Sequence, residues 1–264
     1  MKMRCRSGVR GKFRDGETGS AEICKAAERI TDNGGGRPPE GAVNTMALRE
    51  HIEHTLLKPE ATIEDIMRLC NEAKENNLLG ICVNPAYVPL AKHLLAGTPV
   101  KVVTVVGFPL GADLPEIKAL AAKRAVEGGA DEIDMVINVG ALKGHSDAYV
   151  VEDIKAVVEA SAPKPVKVII ETCLLTDEEK VKACAMIAKA GAAFVKTSTG
   201  FNKAGATVED VRLLSGEAKK LGLGVKAAGG IRDRQTAEAM VEAGADRIGT
   251  SAGHRIAAEE GQAG

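Results

Sequence analysis

From Met46 onward, short apolar runs alternate with longer stretches in which apolar residues recur at helical spacing. A short apolar run is typical of a buried strand, and the helical spacing is typical of an amphipathic helix packed on one side. The pattern predicts strands at 54–57, 80–84, 100–108, 132–138, 166–172, 193–197, 224–228 and 246–250.

Helices are predicted in the segments between these strands, among them 62–77, 114–129 and 176–191. Their starts are well marked, because a threonine followed by acidic residues in the first turn is typical of an N-cap or a capping box. Threonines of this kind stand at positions 62, 176 and 207.

The number and order of these elements favour an α/β protein with a (β/α)8 TIM-barrel fold. Eight strands joined by mostly helical crossovers match that architecture, and the chain length suits it. Three glycines, Gly129, Gly191 and Gly244, each follow a predicted helix and lead into a strand, as expected at such a junction. A doubly wound open sheet is the alternative, but HTLLKPEAT lacks the glycine-rich turn expected after its first strand.

The first 45 residues differ from the rest of the chain. Six of the first 14 are Lys or Arg, and 32–41 form a Gly/Pro cluster that cannot hold a helix. Only 21–30 has the pattern of a short helix. We expect residues 1–45 to be a flexible, mostly disordered extension without a secretory signal, and Met46 to be the functional first residue of a single domain over 46–264.

Composition narrows the functional classes. The chain of 264 residues has a net charge of −1, no Trp and only two Tyr, which argues against binding to nucleic acid or to anionic membranes. No apolar run approaches the roughly 20 residues that span a bilayer. The six cysteines form no C-x-x-C pair, so we expect reduced thiols and a cytoplasmic location.

Among the charged residues in the predicted strands, Asp134, Glu171, Lys196 and Lys226 call for an explanation. A charge inside a barrel strand is costly to bury unless it is paired, and the carboxyl ends of the strands face the active site of such a barrel. Asp134, Lys196 and Lys226 belong to the fourth, sixth and seventh strands. We therefore expect these three side chains to project into one small space.

Two interpretations of this group remain open. Asp134 and one lysine can form a structural ion pair, or one ammonium can lower the pKa of the other lysine so that its free amine attacks a carbonyl. Asp134 would then carry protons. Two lysines sharing one carboxylate favour catalysis, although the residues alone leave open which lysine is the nucleophile. The hydroxyls of Thr197, Ser198 and Thr199 are expected to donate hydrogen bonds to the substrate.

Glycine-rich turns after the last two strands predict a phosphate site, because loops at that place in a barrel commonly bind phosphate. The residues are Gly229, Gly230, Arg232, Gly249 and Ser251. No metal and no cofactor are predicted: His51 and His54 lie near the first strand, but we identify no further ligands that complete a set, so solvent-facing or capping roles are expected. Cys82 is expected to be a packed thiol.

Eight motifs stand in order along the chain: HTLLKP (54–59), CVNPAYV (82–88), VVGFPLG (105–111), EIDMVINVGALK (132–143), KVIIETCLL (167–175), VKTSTGF (195–201), VKAAGGIR (225–232) and RIGTSAG (247–253). Together they resemble the deoxyribose-phosphate aldolases over nearly all of the chain after Met46. The resemblance implies a metal-free class I aldolase of deoxyribonucleotide and carbohydrate catabolism. Such an enzyme reversibly cleaves 2-deoxy-D-ribose 5-phosphate to D-glyceraldehyde 3-phosphate and acetaldehyde through a lysine Schiff base.

The resemblance also implies a role for each site residue. Lys196 would be the Schiff-base lysine, Asp134 the proton-relay carboxylate, and Lys226 a second lysine that relays protons and tunes the pKa of the first. Substrate and phosphate binding would fall to Thr199, Gly200, Gly229, Gly230, Arg232, Gly249 and Ser251. Family members are commonly homodimers or homotetramers, so the same is expected here.

The chain departs from the family pattern at three points. Glu53 stands where the family often has Asp, and a modest change in affinity is expected if it touches a substrate hydroxyl. Phe201 follows the STG motif where some members have a basic residue. No tyrosine follows Tyr149, so a catalytic C-terminal tyrosine is not expected.

Three rival functions remain: a Schiff-base aldolase for another phosphosugar, a non-catalytic phosphosugar-binding barrel, and a metal-dependent lyase. Release of acetaldehyde would distinguish the deoxyribose reaction from the first two. Insensitivity to a chelator would argue against the third.

Overall fold

Eight parallel strands close into a barrel in which each strand pairs with its neighbours in sequence order and the last pairs with the first. The structure is a computed structural model and describes residues 47–260. The strands are β1 (Ile52–Leu56), β2 (Gly80–Val83), β3 (Lys101–Val106), β4 (Glu132–Val136), β5 (Val166–Ile169), β6 (Phe194–Lys196), β7 (Gly224–Ala228) and β8 (Arg247–Thr250). The predicted (β/α)8 barrel is therefore confirmed.

Helices follow the strands and pack around the outside of the barrel. They are α1 (Ile63–Glu75), α2 (Val88–Leu94), α3 (Pro115–Glu127), α4 (Val139–Lys143), α5 (Asp147–Ser161), α6 (Asp177–Lys189), α7 (Val208–Leu221), α8 (Arg234–Glu242) and α9 (Gly253–Glu260). Within 47–260, none of them has both the length and the apolar character that a membrane crossing would need. The predictions for residues 1–45, including the helix over 21–30, lie outside the described residues.

The three predicted threonine N-caps are confirmed. The Thr62 hydroxyl accepts a hydrogen bond from the Asp65 backbone N–H, and the Asp65 carboxylate accepts one from the Thr62 backbone N–H. Thr176 and Glu179 form the same reciprocal pair at the start of α6. At the start of α7 the Thr207 hydroxyl accepts a hydrogen bond from the Asp210 backbone N–H. These caps satisfy backbone donors that have no partner within the helix, which fixes where each helix begins.

Most strands differ from the prediction at one or both ends, and two of these differences affect the site. β1 begins at Ile52, earlier than predicted, so Glu53 is a strand residue. Because side chains alternate along a strand, Glu53 and His54 point to opposite faces of the barrel wall. β5 ends at Ile169, and Glu171 has a left-handed φ of 56° that turns the chain into a short 3-10 helix. Glu171 therefore lies in a loop.

Apolar side chains fill the space between the strands and the helices, where most of the buried core lies. A smaller apolar cluster consists of Leu57, directly after β1, Cys82 on β2, and Val103 and Val105 on β3. The register pairs Val105 of this cluster with Asp134 on β4, so the two side chains share the inner face of the barrel. The interior is therefore apolar on one side and charged on the other.

Candidate active site

Asp134 on β4 lies between the two lysines singled out in the sequence. Its Oδ2 atom accepts hydrogen bonds from Lys196 Nζ at 2.7 Å and from Lys226 Nζ at 2.6 Å. Lys196 ends β6 and is paired in register with Lys226 on β7, which brings the two ammonium groups to the same height in the barrel. All three side chains are buried. The structure thus brings together the three residues expected to share one space.

Three further charged residues complete this group, which we call the charge cluster: Glu53, Glu132, Asp134, Lys167, Lys196 and Lys226. Lys167 on β5 lies 3.0 Å from Asp134 Oδ1, 2.6 Å from Glu132 Oε2 and 3.5 Å from Glu53 Oε1. Glu53 also pairs with Lys226. With every group ionised, three lysines balance three carboxylates.

Lys167 and Glu132 were not predicted as site residues, and Glu53 was predicted to precede the strand. A signal for two of them was present. Lys167 alternates with the apolar residues of VKVII, and Glu132 stands two residues before Asp134. Both therefore belong to the inward-facing positions of their strands. Glu53 lies beneath the pocket against Lys226 instead of at a substrate hydroxyl.

The two lysines that share Asp134 Oδ2 differ in pKa. Burial lowers the pKa of Lys196 and the nearby Lys226 ammonium lowers it further; together they outweigh the opposing Asp134 carboxylate, so the pKa lies below its usual value. Burial also acts to lower the pKa of Lys226, but the carboxylates of Asp134 and Glu53 outweigh it and raise the pKa above normal. Lys196 is the lysine better able to be a neutral amine.

Asp134 and Lys167 keep their charges. Burial acts to raise the pKa of Asp134, yet the surrounding ammonium groups, led by that of Lys167, hold it well below its usual value. The pKa of Lys167 is raised, because the carboxylates of Asp134, Glu53 and Glu132 outweigh burial. A neutral amine at Lys196 is thus surrounded by groups with fixed charge.

A pocket of about 400 Å³ opens above the charge cluster at the carboxyl ends of the strands. Lys196 lines it, whereas Asp134 and Lys226 are fully buried beneath its lining. The other lining residues come from the loops after β1, β6, β7 and β8 and their strand ends: Thr55, Leu56, Leu57, Lys58, Thr199, Gly200, Phe201, Ala228, Gly229, Gly230, Ile231, Arg232, Gly249, Thr250 and Ser251. Of the two lysines that share Asp134 Oδ2, Lys196 is therefore the one that a molecule in this pocket would reach.

All of the residues to which the resemblance assigns substrate or phosphate binding line this pocket. Gly229 and Gly230 both have positive φ values, 88° and 82°, which glycine adopts at no steric cost and which turn the backbone sharply after β7. Arg232 and Lys58 supply cationic side chains to the lining. The sequence analysis did not identify Lys58 as a site residue.

Several side chains in this region have a different role from the one predicted. The Thr197 hydroxyl is bonded to the backbone N–H and carbonyl of Ala228, so it links β6 to β7. Ser198 is buried outside the lining. The expectation that both hydroxyls face the substrate is wrong. Thr199 lines the pocket, but its hydroxyl donates to the Glu171 carboxylate.

Gly249 has a second use besides lining the pocket. A Cβ atom at this position would lie 3.2 Å from Cε of Lys226 and 3.1 Å from Cβ of Ala228. Glycine at 249 therefore leaves room for the buried Lys226 side chain.

Cys82 is fully buried, as expected of a packed thiol. Burial raises its pKa to about 11, so the thiol is protonated near neutral pH. Above the cluster, Phe201 meets Phe108 edge-on, with ring centroids 5.2 Å apart. Phe201, which stands where some family members have a basic residue, thus contributes an aromatic contact at the edge of the pocket.

Two expectations for His54 are wrong: that it faces solvent, and that no further ligands complete a set with it. Its side chain is buried between the barrel wall and the helix layer, so it is not solvent-facing. Glu72 on α1 and His254 on α9 lie beside it, and the three residues have their ligand atoms within 4.8 Å of one another. No local sequence pattern marks this group, because its members are separated by as many as 200 residues and meet only when the barrel closes.

The comparisons with known proteins agree with one another. A model of the DeoC/LacD family of aldolases matches residues 45–258. The chain is 58% identical to a deoxyribose-phosphate aldolase of Streptococcus gordonii over 80% of this chain and 96% of the relative. It is 56% identical to one of Thermotoga petrophila over 83% and 88%. A solved structure, described as a unique tetrameric deoxyribose phosphate aldolase of Aeropyrum pernix, superposes with a TM-score of 0.76 at 35% identity, over 82% of this chain and 92% of that one.

Proposed function

The chain belongs to the DeoC/LacD family of aldolases and acts as a deoxyribose-phosphate aldolase, and on that premise we propose that its chemistry runs through an imine on Lys196. The reaction is the reversible cleavage of 2-deoxy-D-ribose 5-phosphate to D-glyceraldehyde 3-phosphate and acetaldehyde. The observation that carries the proposal is the contrast between the two lysines on Asp134: Lys196 lines the pocket and has a lowered pKa, whereas Lys226 is buried beneath it with a raised pKa.

Imine formation needs a neutral amine and a way to remove water. The free amine of Lys196 attacks the C1 aldehyde carbon of the open-chain sugar, and the carbinolamine then loses its hydroxyl as water. Asp134 Oδ2, 2.7 Å from Lys196 Nζ, is within reach of the proton that leaves the nitrogen. Lys226 stays an ammonium on the same oxygen and limits the build-up of negative charge.

Bond cleavage then uses the imine as an electron sink. A base removes the proton from the C3 hydroxyl, the C2–C3 bond breaks, and its electron pair moves to the protonated imine (iminium) to give a neutral enamine and D-glyceraldehyde 3-phosphate. Protonation of the enamine at C2 and hydrolysis of the imine release acetaldehyde and restore Lys196. Asp134 is the carboxylate beside Lys196, and we assign it the relay of these protons, directly or through water.

We assign the phosphate to the far end of the pocket. The glycine turn after β7, the Gly249–Ser251 loop and the start of α9 offer backbone N–H groups there, and a helix N-terminus favours an anion. Arg232 adds a positive charge from the lining. The pocket then has an amine at one end for the aldehyde and donors at the other for the phosphate.

The pH dependence of kcat/KM should report the electrostatic role of Lys226. Activity requires the neutral amine of Lys196, so it falls as the pH drops through the pKa of that group. In Lys226→Met the repulsive ammonium is lost while Asp134 and Glu53 remain, which raises the pKa of Lys196. The acidic limb of the pH profile should therefore move to higher pH, as measured with 2-deoxyribose 5-phosphate in steady-state assays.

A matched control for this shift is Lys180→Met, which removes a largely buried lysine that pairs with Asp177 and Asp210, outside the charge cluster. The acidic limb of the kcat/KM profile of Lys180→Met should lie at the same pH as that of the unchanged protein. A limb that stays in place or moves to lower pH in Lys226→Met would contradict the electrostatic role of Lys226.

Loss of the Arg232 charge should weaken the binding of phosphorylated substrates and leave the reaction of unphosphorylated ones unchanged. A hydrogen bond to a charged group contributes about 1.5–3 kcal/mol, so Arg232→Gln should raise KM for 2-deoxyribose 5-phosphate by roughly 10- to 100-fold. The kcat/KM for unphosphorylated 2-deoxyribose should be unchanged. Arg212→Gln, at an exposed position of α7, is the control. An equal loss for both substrates would place the phosphate elsewhere.

We further propose that the protein is a homodimer or homotetramer. Support comes from exposed apolar side chains on and before α3, where Leu110, Leu114, Ile117 and Leu120 are each at least half exposed. Exposed apolar patches of this kind often mark interfaces between subunits. Sedimentation equilibrium of the full chain would test this, and a monomer at micromolar concentration would contradict it.

We also propose a cytoplasmic location. The four cysteines of the described part of the chain, Cys70, Cys82, Cys173 and Cys184, are all free thiols, as expected in a reducing compartment. Fractionation of cells that produce the full chain would test the location, and recovery outside the cytoplasm would contradict it.

A further inference from the structure

A second group of ionisable side chains lies on the outer side of β1, away from the charge cluster. His54 Nε2 is 2.8 Å from Oε2 of Glu72, and His254 Nδ1 is 3.5 Å from the same oxygen. The three residues come from β1, α1 and α9. They line an open cleft of about 460 Å³. Two imidazole nitrogens thus converge on one carboxylate oxygen at the wall of a cleft that solvent can enter.

The hydrogen-bond partners of His54 show why this arrangement needs a cation. His54 Nδ1 lies 3.3 Å from the backbone carbonyl oxygen of Thr250, which can only accept, so Nδ1 carries the hydrogen. Nε2 then directs a lone pair toward the Glu72 carboxylate oxygen, and two acceptors 2.8 Å apart repel each other. A positive centre between them removes the repulsion.

His254 points to a metal ion instead of a proton as that centre. Its Nδ1 atom is buried and makes no hydrogen bond within the described residues, although it faces the same Glu72 oxygen. A proton shared by His54 and Glu72 would leave the Nδ1 atom of His254 without a partner. A metal ion would take a lone pair from each of the three side chains.

The spacing of the three ligand atoms suits such an ion. Nitrogen and oxygen ligands lie about 2.0–2.2 Å from zinc, so neighbouring ligands in a tetrahedron are roughly 3.3 Å apart. The distances of 2.8 and 3.5 Å to Glu72 Oε2 bracket that value. The Thr250 carbonyl holds the other nitrogen of His54, the outer-shell contact that orients most histidine ligands.

We propose that His54, Glu72 and His254 form a binding site for a divalent transition-metal ion of the zinc type, with three protein ligands and a fourth position open to the cleft. The site has no part in the aldol chemistry, because His54 and Glu53 point to opposite faces of β1 and only Glu53 faces Lys226. The ion would tie α1 to the start of α9, two residues after the Ser251 loop. Its expected effect is greater stability of the folded chain.

Calorimetric titration of the EDTA-treated, dialysed full chain with Zn²⁺ tests the proposal. The variants are His254→Phe, at a half-exposed side chain, and Glu72→Gln, so that the buried His54 is left intact. The unchanged protein should bind one equivalent that each variant binds at least about tenfold more weakly. Zn²⁺ should also raise the Tm of the unchanged protein more than that of either variant.

The control His93→Phe removes an exposed histidine of α2 and should keep the full equivalent and the full rise in Tm. Zinc bound by thiols elsewhere in the chain is common to all four proteins and cancels in the comparison. Equal stoichiometry and affinity in the unchanged protein, His254→Phe and Glu72→Gln would overturn the proposal and leave a simple ion pair between His54 and Glu72.

Discussion

Lys196→Met should lower kcat for the cleavage of 2-deoxyribose 5-phosphate by at least about 10⁴-fold, since loss of a covalent nucleophile has effects of this size or larger. Methionine is unbranched and similar in length to lysine, so it fills the same space. It also resembles the neutral form of Lys196 that the lowered pKa favours. Asp134 keeps its contacts with Lys167 and Lys226. The free energy of unfolding should therefore change little while activity disappears.

The control is Lys167→Met, which removes a buried lysine of the same charge cluster that does not line the pocket. This variant should keep measurable activity and lose stability, because Glu53, Glu132 and Asp134 then lose a buried ammonium group that lies within 3.5 Å of each of them. Activity of Lys196→Met within about tenfold of the unchanged protein would be incompatible with an imine at this residue.

Asp134→Asn should reduce both activity and stability. Proton transfer by a positioned side chain contributes about 10²–10⁴-fold, so kcat should fall by that factor. Asparagine also leaves the buried ammonium groups of Lys167 and Lys226 without the carboxylate that they share, which should lower the free energy of unfolding by about 3–5 kcal/mol. Steady-state kinetics and urea unfolding of the same preparation measure the two effects.

A matched comparison is available elsewhere in the fold. Asp153 on α5 pairs with Lys118 on α3 at 2.6 Å, and both side chains are fully buried. Burial raises the pKa of Asp153, whereas the pKa of Asp134 is held well below normal. The folded structure therefore stabilises the charged form of Asp153 less than that of Asp134. Asp153→Asn should cost less stability and leave kcat unchanged. If both variants lose activity in proportion to stability, Asp134 has only a structural role.

Stability should also vary with pH through Asp134. Its folded pKa is depressed, so its contribution is fully present above the pKa of an unfolded aspartate and is lost as the pH falls toward the folded pKa. The resulting loss of stability in acid should therefore be smaller in Asp134→Asn than in the unchanged protein.

The barrel could be predicted from the sequence because each part of it has a local signal. Short apolar runs gave the strands, and threonines with acids behind them gave helix starts at 62, 176 and 207. The barrel rule for strand ends then placed Asp134, Lys196 and Lys226 together without any structure. What these residues could not decide was which lysine reacts, since that depends on burial and on partners.

The remaining members of the site could not be predicted from the sequence, because contacts between residues far apart in the chain determine their places. Glu53 was missed as a strand residue because β1 begins with Ile52, before the apolar run that marked it. Thr197 was expected to face substrate, yet its hydroxyl is used between β6 and β7. His254 meets His54 and Glu72 only because the closed barrel brings α9 against β1. Such contacts follow from closure, which joins the two ends of the domain.

The most direct test of the imine is reduction with borohydride in the presence of 2-deoxyribose 5-phosphate, followed by mass mapping of the peptides. The imine on Lys196 predicts one irreversible adduct, on the peptide that contains VKTSTGF, and loss of activity in step with its formation. An adduct on Lys226 instead would reverse the roles of the two lysines. Continued cleavage with no adduct at all would contradict the Schiff-base mechanism.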